Sequence, residues 1–268
     1  MTRVGPPPPP PEPLPAAVFD SHCHLDAMGV DVGQSLMDAA AVGVTRLVTV
    51  GDTLASSRWA ADTAAAFDGV VAAVAVHPNE VGDIDEATWA GLAELAGRPE
   101  VRAIGETGLD YYWDRVPADV QQEAFRRHVD LAKRSGKALV IHDRDAHDDV
   151  LRVLREEGAP EWTVFHCFSG DAAMATECVR AGYVLSFAGT VTFKNAPELR
   201  AAAALVPLDQ LLVETDAPYL TPVPYRGRPN APYLVPLTVR AVAAVKDVPV
   251  EQLCEHITRT GRRVFGDW

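Results

Sequence analysis

Short apolar runs and longer amphipathic stretches alternate along most of the chain. The runs are VFDSHCHL (18–25), TRLVTV (45–50), VVAAVAVHP (70–78), VRAIGETGL (101–109), KALVIHD (137–143), WTVFHCF (162–168), YVLSFAG (183–189) and QLLVETDAP (210–218). Each is continuous rather than alternating, as expected of strands buried on both faces. Helical stretches lie between them, for example 119–135 and 146–157. Alternating βα units imply parallel strands with right-handed crossovers. Eight such units predict an α/β chain closed into a (β/α)8 TIM barrel, with a doubly wound open sheet as the second possibility. A Pro-rich loop, TPVPYRGRPNAP, follows the eighth run, and two more helical stretches are expected at roughly 233–246 and 249–263. No internal linker divides the chain, so residues 18–268 are expected to form a single domain.

Residues 1–17 stand outside this rhythm. They begin MTRVGPPPPPPEPLP and lack the apolar core of a signal peptide. A proline run favours extended polyproline II. The expectation is a disordered, solvated tail, with an SH3-type ligand as the alternative. No apolar run approaches the ~20 residues of a membrane span, so no membrane association is expected. Four cysteines without a CxxC pair suggest reduced thiols and a cytoplasmic protein.

The net charge of -13 over 268 residues is the wrong sign for a broad basic face on nucleic acid. It leaves metal-centred phosphate chemistry open, because bound cations reverse the local sign of a site. The candidate ligands sit at the C-terminal ends of the apolar runs, the edge where barrel enzymes build their sites. His22 and His24 are two residues apart, so in a strand both imidazoles face one side. Glu106 ends the fourth run between Gly105 and Gly108, which permit close approach and unusual backbone angles. His142, His166 and Asp216 end the fifth, sixth and eighth runs. Singly, each could be a cap, a solvated group or a satisfied core residue. Together they make a metal centre the better reading. Imidazole and carboxylate ligands suit Zn, Mn, Fe, Ni or Co, and Mg with fewer histidines engaged. Cys23 and Cys167 are expected to point away as small buried hydrophobes.

The segments FDSHCHLD, AVHP, AIGETGLDYY, IHDRDA, HCFSG and ETDAPYL, in this order, resemble the TatD family of metal-dependent deoxyribonucleases. The resemblance runs from Phe19 to near the C-terminus. It implies an amidohydrolase-like TIM barrel, with His22, His24, Glu106, His142, His166 and Asp216 binding metal. It also implies phosphodiester hydrolysis in DNA, with 3′-to-5′ exonuclease activity. Some relatives are assigned D-aminoacyl-tRNA deacylase activity, which keeps another ester or amide substrate open. Where many members read RNEP, this chain reads RPNAP, with Ala231 in place of the acid.

The resulting scheme uses two divalent ions (Mg, Mn or Zn). His22, His24, Glu106 and Asp216 hold one, and Glu106, His142 and His166 hold the other. Glu106 and Asp216 are the catalytic carboxylates, with Asp216 accepting the proton of the attacking water. His77 and Arg144 are candidates for the scissile phosphate, and Arg226 and Arg228 for its neighbour. Tyr111, Tyr112 and Trp113 either stack an unpaired base or form an apolar wall. The expected partner is a DNA end, preferably single-stranded, with no obligate protein partner. A non-catalytic protein with a structural metal is disfavoured, since structural sites are closed and mostly sulfur-rich.

Overall fold

Eight strands form one sheet whose spatial order is the order of the sequence. In the computed structural model, which describes residues 5–267, they are β1 (Val18–Cys23), β2 (Val44–Val50), β3 (Val70–Val74), β4 (Val101–Asp110), β5 (Ala138–Arg144), β6 (Thr163–Phe165), β7 (Val184–Phe187) and β8 (Leu211–Val213). Each lies within, or within a residue of, one of the apolar runs. Strands β3 to β6 pair in parallel, as do β7 and β8. A parallel bridge from Cys23 to Ala217 returns the chain beyond β8 to β1. The fold is a (β/α)8 barrel.

Nine α-helices are described: α1 (Val32–Ala41), α2 (Leu54–Ala66), α3 (Glu86–Ala96), α4 (Ala118–Ser135), α5 (His147–Glu157), α6 (Ala172–Arg180), α7 (Pro197–Leu205), α8 (Val235–Lys246) and α9 (Val250–Phe265). Helix α4 shows how local sequence sets an element. Its buried face is Gln121, Ala124, Phe125, His128, Val129, Leu131 and Ala132, at the spacing of one helical stripe. Gly136 ends it at φ 64° with Lys133 and Arg134 in the last turn, a left-handed cap and a favourable charge at the carbonyl end. Among the described residues, no helix is long and apolar enough to cross a membrane.

Contacts divide the chain into two units. One comprises Met1–Val48 with Gly170–Arg263, the other Thr49–Ser169 with Val264–Trp268. In the first unit, buried hydroxyls bind the barrel strands together. Ser21 Oγ lies 2.8 Å from Ser186 Oγ and donates to Val213 O at 2.9 Å. In the second, Gln121 completes the end of β4. Its Oε1 accepts from Asp110 N (2.8 Å), and its Nε2 donates to Asp110 O (3.0 Å) and Val116 O (2.9 Å). A buried side-chain amide thus satisfies backbone groups where the ladder stops.

The segment preceding β1 differs from the disordered tail expected. Residues 6–17 are fastened within the first unit. Arg228 Nε and Nη2 donate to Pro6 O (2.9 Å) and Pro7 O (2.8 Å), and Tyr233 Oη donates to Pro8 O (2.7 Å). Arg240 Nη2 reaches Glu12 O (2.9 Å) and Pro13 O (3.1 Å). Pro8 and Leu14 are buried. The physical reason is that polyproline II carries carbonyls with no internal partner, and this surface supplies donors for them. Residues 1–4 lie outside the described residues.

Candidate metal centre

In the first unit, β1 delivers His22 and His24 to one side. Cys23, between them, is buried and donates its thiol to Val48 O at 3.5 Å. His22 Nε2 and His24 Nε2 are 3.3 Å apart. Asp216 Oδ1 lies 3.8 Å from the first and 3.5 Å from the second. Asp216 sits beyond the end of β8 with φ 54°, a left-handed conformation that short polar side chains tolerate better than most. Asp216 N donates to His22 O (2.9 Å), and His24 N donates to Ala217 O (2.7 Å). The two ligand-bearing segments are therefore clipped to each other through their backbones. Behind them Asp20 is fully buried and accepts from Thr215 N (2.9 Å), the Thr215 hydroxyl and His22 N (3.3 Å). Burial pushes its carboxyl up to about 8, against the pull of these donors.

In the second unit, Glu106, His142 and His166 meet. His166 Nε2 is 2.7 Å from Glu106 Oε2, His142 Nδ1 is 3.1 Å from the same oxygen, and the two rings approach to 3.3 Å. Glycine makes this possible. A Cβ on Gly105 would stand 2.5 Å from Val140 Cβ, and one on Gly108 only 2.1 Å from His142 O. The β4–β5 register is irregular between Ile104 and Thr107. Such a bulge re-aims a side chain, here Glu106.

Asp110, also on β4, completes this cluster. Its Oδ2 lies 3.1 Å from His142 Nε2 and accepts from Asn79 Nδ2 at 3.0 Å. Its Oδ1 accepts from Tyr112 N and Trp113 N, both at 3.1 Å. Burial would raise this carboxyl, but the bonds to His142, Trp113 and Asn79 prevail and hold it at about 2. Burial opposes charging of His142 too, yet hydrogen bonds to Asp110 and Glu106 turn the net shift upward. A carboxylate on one ring nitrogen leaves the other aimed at Glu106 and His166, the arrangement that orients metal-bound imidazoles. His77, expected at the phosphate, joins this cluster. Its ring is 4.5 Å from that of His142, edge to face, and His77, Glu106 and His142 each offer a ligand atom within 4.8 Å of the others. Burial lowers His77 to about 3, with Glu106 and Asp110 opposing.

Both clusters combine imidazole and carboxylate without thiolate. Nitrogen and oxygen atoms this close are poised for a divalent cation. The donor sets are of a kind that could hold a divalent metal ion.

The remaining candidates divide. The Arg144 guanidinium stacks 3.8 Å above Tyr112 and 5.7 Å from Trp113. The two aromatic rings meet edge to face at 4.9 Å and are 53% and 46% exposed. Tyr111 belongs to the wall instead, donating to Asp149 Oδ2 at 2.8 Å. Arg226 lies over Phe193 at 4.3 Å. Arg228 has the tail carbonyls for partners. Cys167 is half-buried rather than buried.

Four supporting residues escape a reading of the sequence: Asp20, Asp110, His128 and Asn230. His128 is fully buried, with Nδ1 2.9 Å from Thr107 Oγ1 and Nε2 accepting from Val76 N at 3.2 Å. It braces the residues next to Glu106 and His77. Asp110 carried a signal: four residues beyond Glu106 in a strand is the same face.

The profile of the family described as TatD related DNase matches residues 19–266. The chain is 51% identical to the uncharacterized metal-dependent hydrolase TatD of Mycobacterium tuberculosis, covering 93% of this chain and 98% of that one. It is 41% identical to the uncharacterized metal-dependent hydrolase YcfH of Escherichia coli K12, covering 92% and 95%. The crystal structure of the E. coli TatD homolog YjjV superposes with a TM-score of 0.90 at 27% identity, covering 94% and 98%.

Proposed function

The chain belongs to the TatD family of metal-dependent hydrolases, and on that premise we propose that it cleaves phosphodiester bonds at single-stranded DNA ends, trimming from the 3′ side. One divalent ion is assigned to His22, His24 and Asp216, and a second to Glu106, His142 and His166. Bound there, the ions supply Lewis acidity toward a phosphoryl oxygen and lower the pKa of the attacking water.

The chain's own groups do the rest. Asp216 has a second carboxylate oxygen to accept the proton of the attacking water. Asp110 holds His142 in one orientation through its Nε2, so that Nδ1 faces Glu106 and His166, with which it would hold the ion. The cation of Arg144 pairs with a phosphate. His77, held neutral by burial, acts as a ligand or acceptor rather than a cation.

The observation that carries the DNA reading is the exposed shelf of Arg144, Tyr112 and Trp113, tied to the Glu106 cluster by Asp110. Aromatic faces beside a cation stack unpaired bases without regard to sequence, for roughly 1–3 kcal/mol each. The net charge of -13 offers little to a duplex, whose binding grows with the number of phosphates neutralised. The family description and the 3′-to-5′ activity the resemblance implies support the same reading.

The test supplies the metal-stripped protein with Mg2+, Mn2+ or Zn2+ singly. Three substrates are compared: an end-labelled oligonucleotide, a covalently closed plasmid and a D-aminoacyl-tRNA. Trimming of the oligonucleotide with an intact plasmid is expected. Nicking of the plasmid at a comparable rate would overturn the exonuclease reading, and preferred turnover of the aminoacyl ester would replace it.

A further inference from the structure

The loop between β8 and α8 follows a metal-ligand candidate directly, and its conformation has two visible supports. The inner support is Asn230, 2% exposed. Its Nδ2 donates to Thr215 O (2.8 Å) and to Tyr219 O, and its backbone N donates to Pro218 O at 3.4 Å. Thr215 and Tyr219 flank Asp216 on either side. One buried amide thus clasps the turn that carries the carboxylate, whose left-handed φ of 54° needs such support. Tyr219 also stands edge-on to His24, ring centres 5.9 Å apart.

The outer support is Arg228, two residues earlier. Its carbonyl accepts from the Thr221 hydroxyl, and its guanidinium is fastened to Pro6 O and Pro7 O. The proline segment is anchored further along by Tyr233 and Arg240. At its far end Leu14 N donates to Val42 O at 3.0 Å. A polyproline helix is pre-ordered and presents only acceptors there, so it binds donors with little entropy to lose. These residues precede the family match, which begins at 19. The strap is an addition to the barrel.

We propose that Asn230 is a positioning residue for Asp216, and that the polyproline segment Pro6–Pro13 is a strap that holds Asn230's loop in place through Arg228. The strap thereby sets the affinity of the His22, His24 and Asp216 cluster for its ion. The inference rests on the metal assignment made above.

The test is a Mn2+ titration of the metal-stripped, full-length protein by calorimetry, with tryptic cleavage after Arg226 as a second readout. The variants are Asn230→Asp, which keeps shape but loses the donor, Arg228→Gln with Arg228→Lys as the conservative control, and replacement of Pro6–Pro11 by Gly-Ser of equal length. Losing a supporting hydrogen bond of this kind weakens metal binding roughly 10- to 100-fold. Asn230→Asp is expected to weaken one of two Mn2+ sites by that factor and leave the other unchanged. Arg228→Gln and the Gly-Ser strap are expected to weaken the same site several-fold and speed cleavage after Arg226. Arg228→Lys is expected to fall between Arg228→Gln and wild type.

Superimposable isotherms for wild type, Asn230→Asp and the Gly-Ser strap would overturn the proposal. So would equal weakening of both sites, which would mark a general loss of structure. Faster proteolysis with unchanged Mn2+ affinity would overturn the strap's link to the metal. If Asn230→Asp fails to fold, the strap and Arg228 variants decide. Absence of Mn2+ binding by the wild type would instead refute the metal assignment.

Discussion

The two ligand clusters are built on different principles. In the Glu106 cluster Glu106, His142 and His166 each stand on or next to a strand, the closest approaches are 2.7 and 3.1 Å, and a separate carboxylate, Asp110, braces His142. In the His22 cluster the carboxylate stands on a turn beyond a three-residue strand, its oxygen is 3.5 to 3.8 Å from the imidazoles, and the turn depends on a loop amide. Preorganised ligands hold a metal more tightly, because less ordering is left for the moment of binding. The comparison teaches that the strand-built cluster is the firm one and the loop-built cluster the adjustable one.

The strongest way to break that comparison is to remove each carboxylate. Glu106→Ala and Asp216→Ala are each expected to lower kcat at least about 100-fold, some 2.7 kcal/mol of transition-state stabilisation, while circular dichroism shows an intact fold. Retention of more than about a tenth of wild-type kcat, a loss of only ~1.4 kcal/mol, would remove the residue concerned from the mechanism.

Asp110→Asn sharpens the contrast. It retains shape but exchanges a strong acceptor for an amide that His142 Nε2 must face. Roughly 10- to 100-fold weaker metal binding is expected at the Glu106 cluster, with the His22 cluster unaffected in the same titration. Equal loss at both would show that the clusters do not differ in the way described.

The two units should also respond to pH with opposite sign: Asp20 of the first, its carboxyl held up at about 8, stabilises the fold as pH falls from 7 to 5, and His128 of the second does the reverse. Burial lowers His128 to about 4, whereas the unfolded chain titrates near 6.5. Between those values the unfolded state binds the extra proton, so stability falls as pH falls. From pH 7 to pH 5 this histidine alone removes about 2 kcal/mol. The difference between wild type and His128→Asn in urea unfolding of the metal-free protein at both pH values isolates it. In His128→Asn the loss of stability from pH 7 to pH 5 should be smaller by that amount, and an unchanged slope would show that His128 is not buried neutral.

The smallest effect belongs to the first unit. Five side-chain hydrogen bonds from Arg228, Tyr233 and Arg240 fasten the proline segment, each contributing about 1 kcal/mol before the entropy of ordering it. Removing residues 1–13 is expected to lower Tm by about 2–4 °C, as a net loss of ~1–2 kcal/mol does in a chain of this size. An unchanged Tm would return the segment to the solvated tail that its composition suggests.

Much of this molecule was legible along the chain because the signals were local. Eight apolar runs name eight strands, since burial on both faces demands continuous apolar sequence. The residues ending those runs name the candidate ligands, since a barrel gathers its chemistry at that edge. The glycines around Glu106 announced a close approach that β5 then makes. What lay beyond the sequence was pairing between distant residues. That His77 joins His142, that Asp110 answers a ring nitrogen of His142, and that Asn230 clasps the turn of Asp216 depend on contacts across 11 to 65 positions, and no spacing rule connects them. The proline segment is the sharpest case. Its composition alone describes a proline-rich chain with little to bury and few donors of its own, which reads as solvated. Only folding places Arg228, Tyr233 and Arg240 along one face, where free carbonyls become what that face lacks.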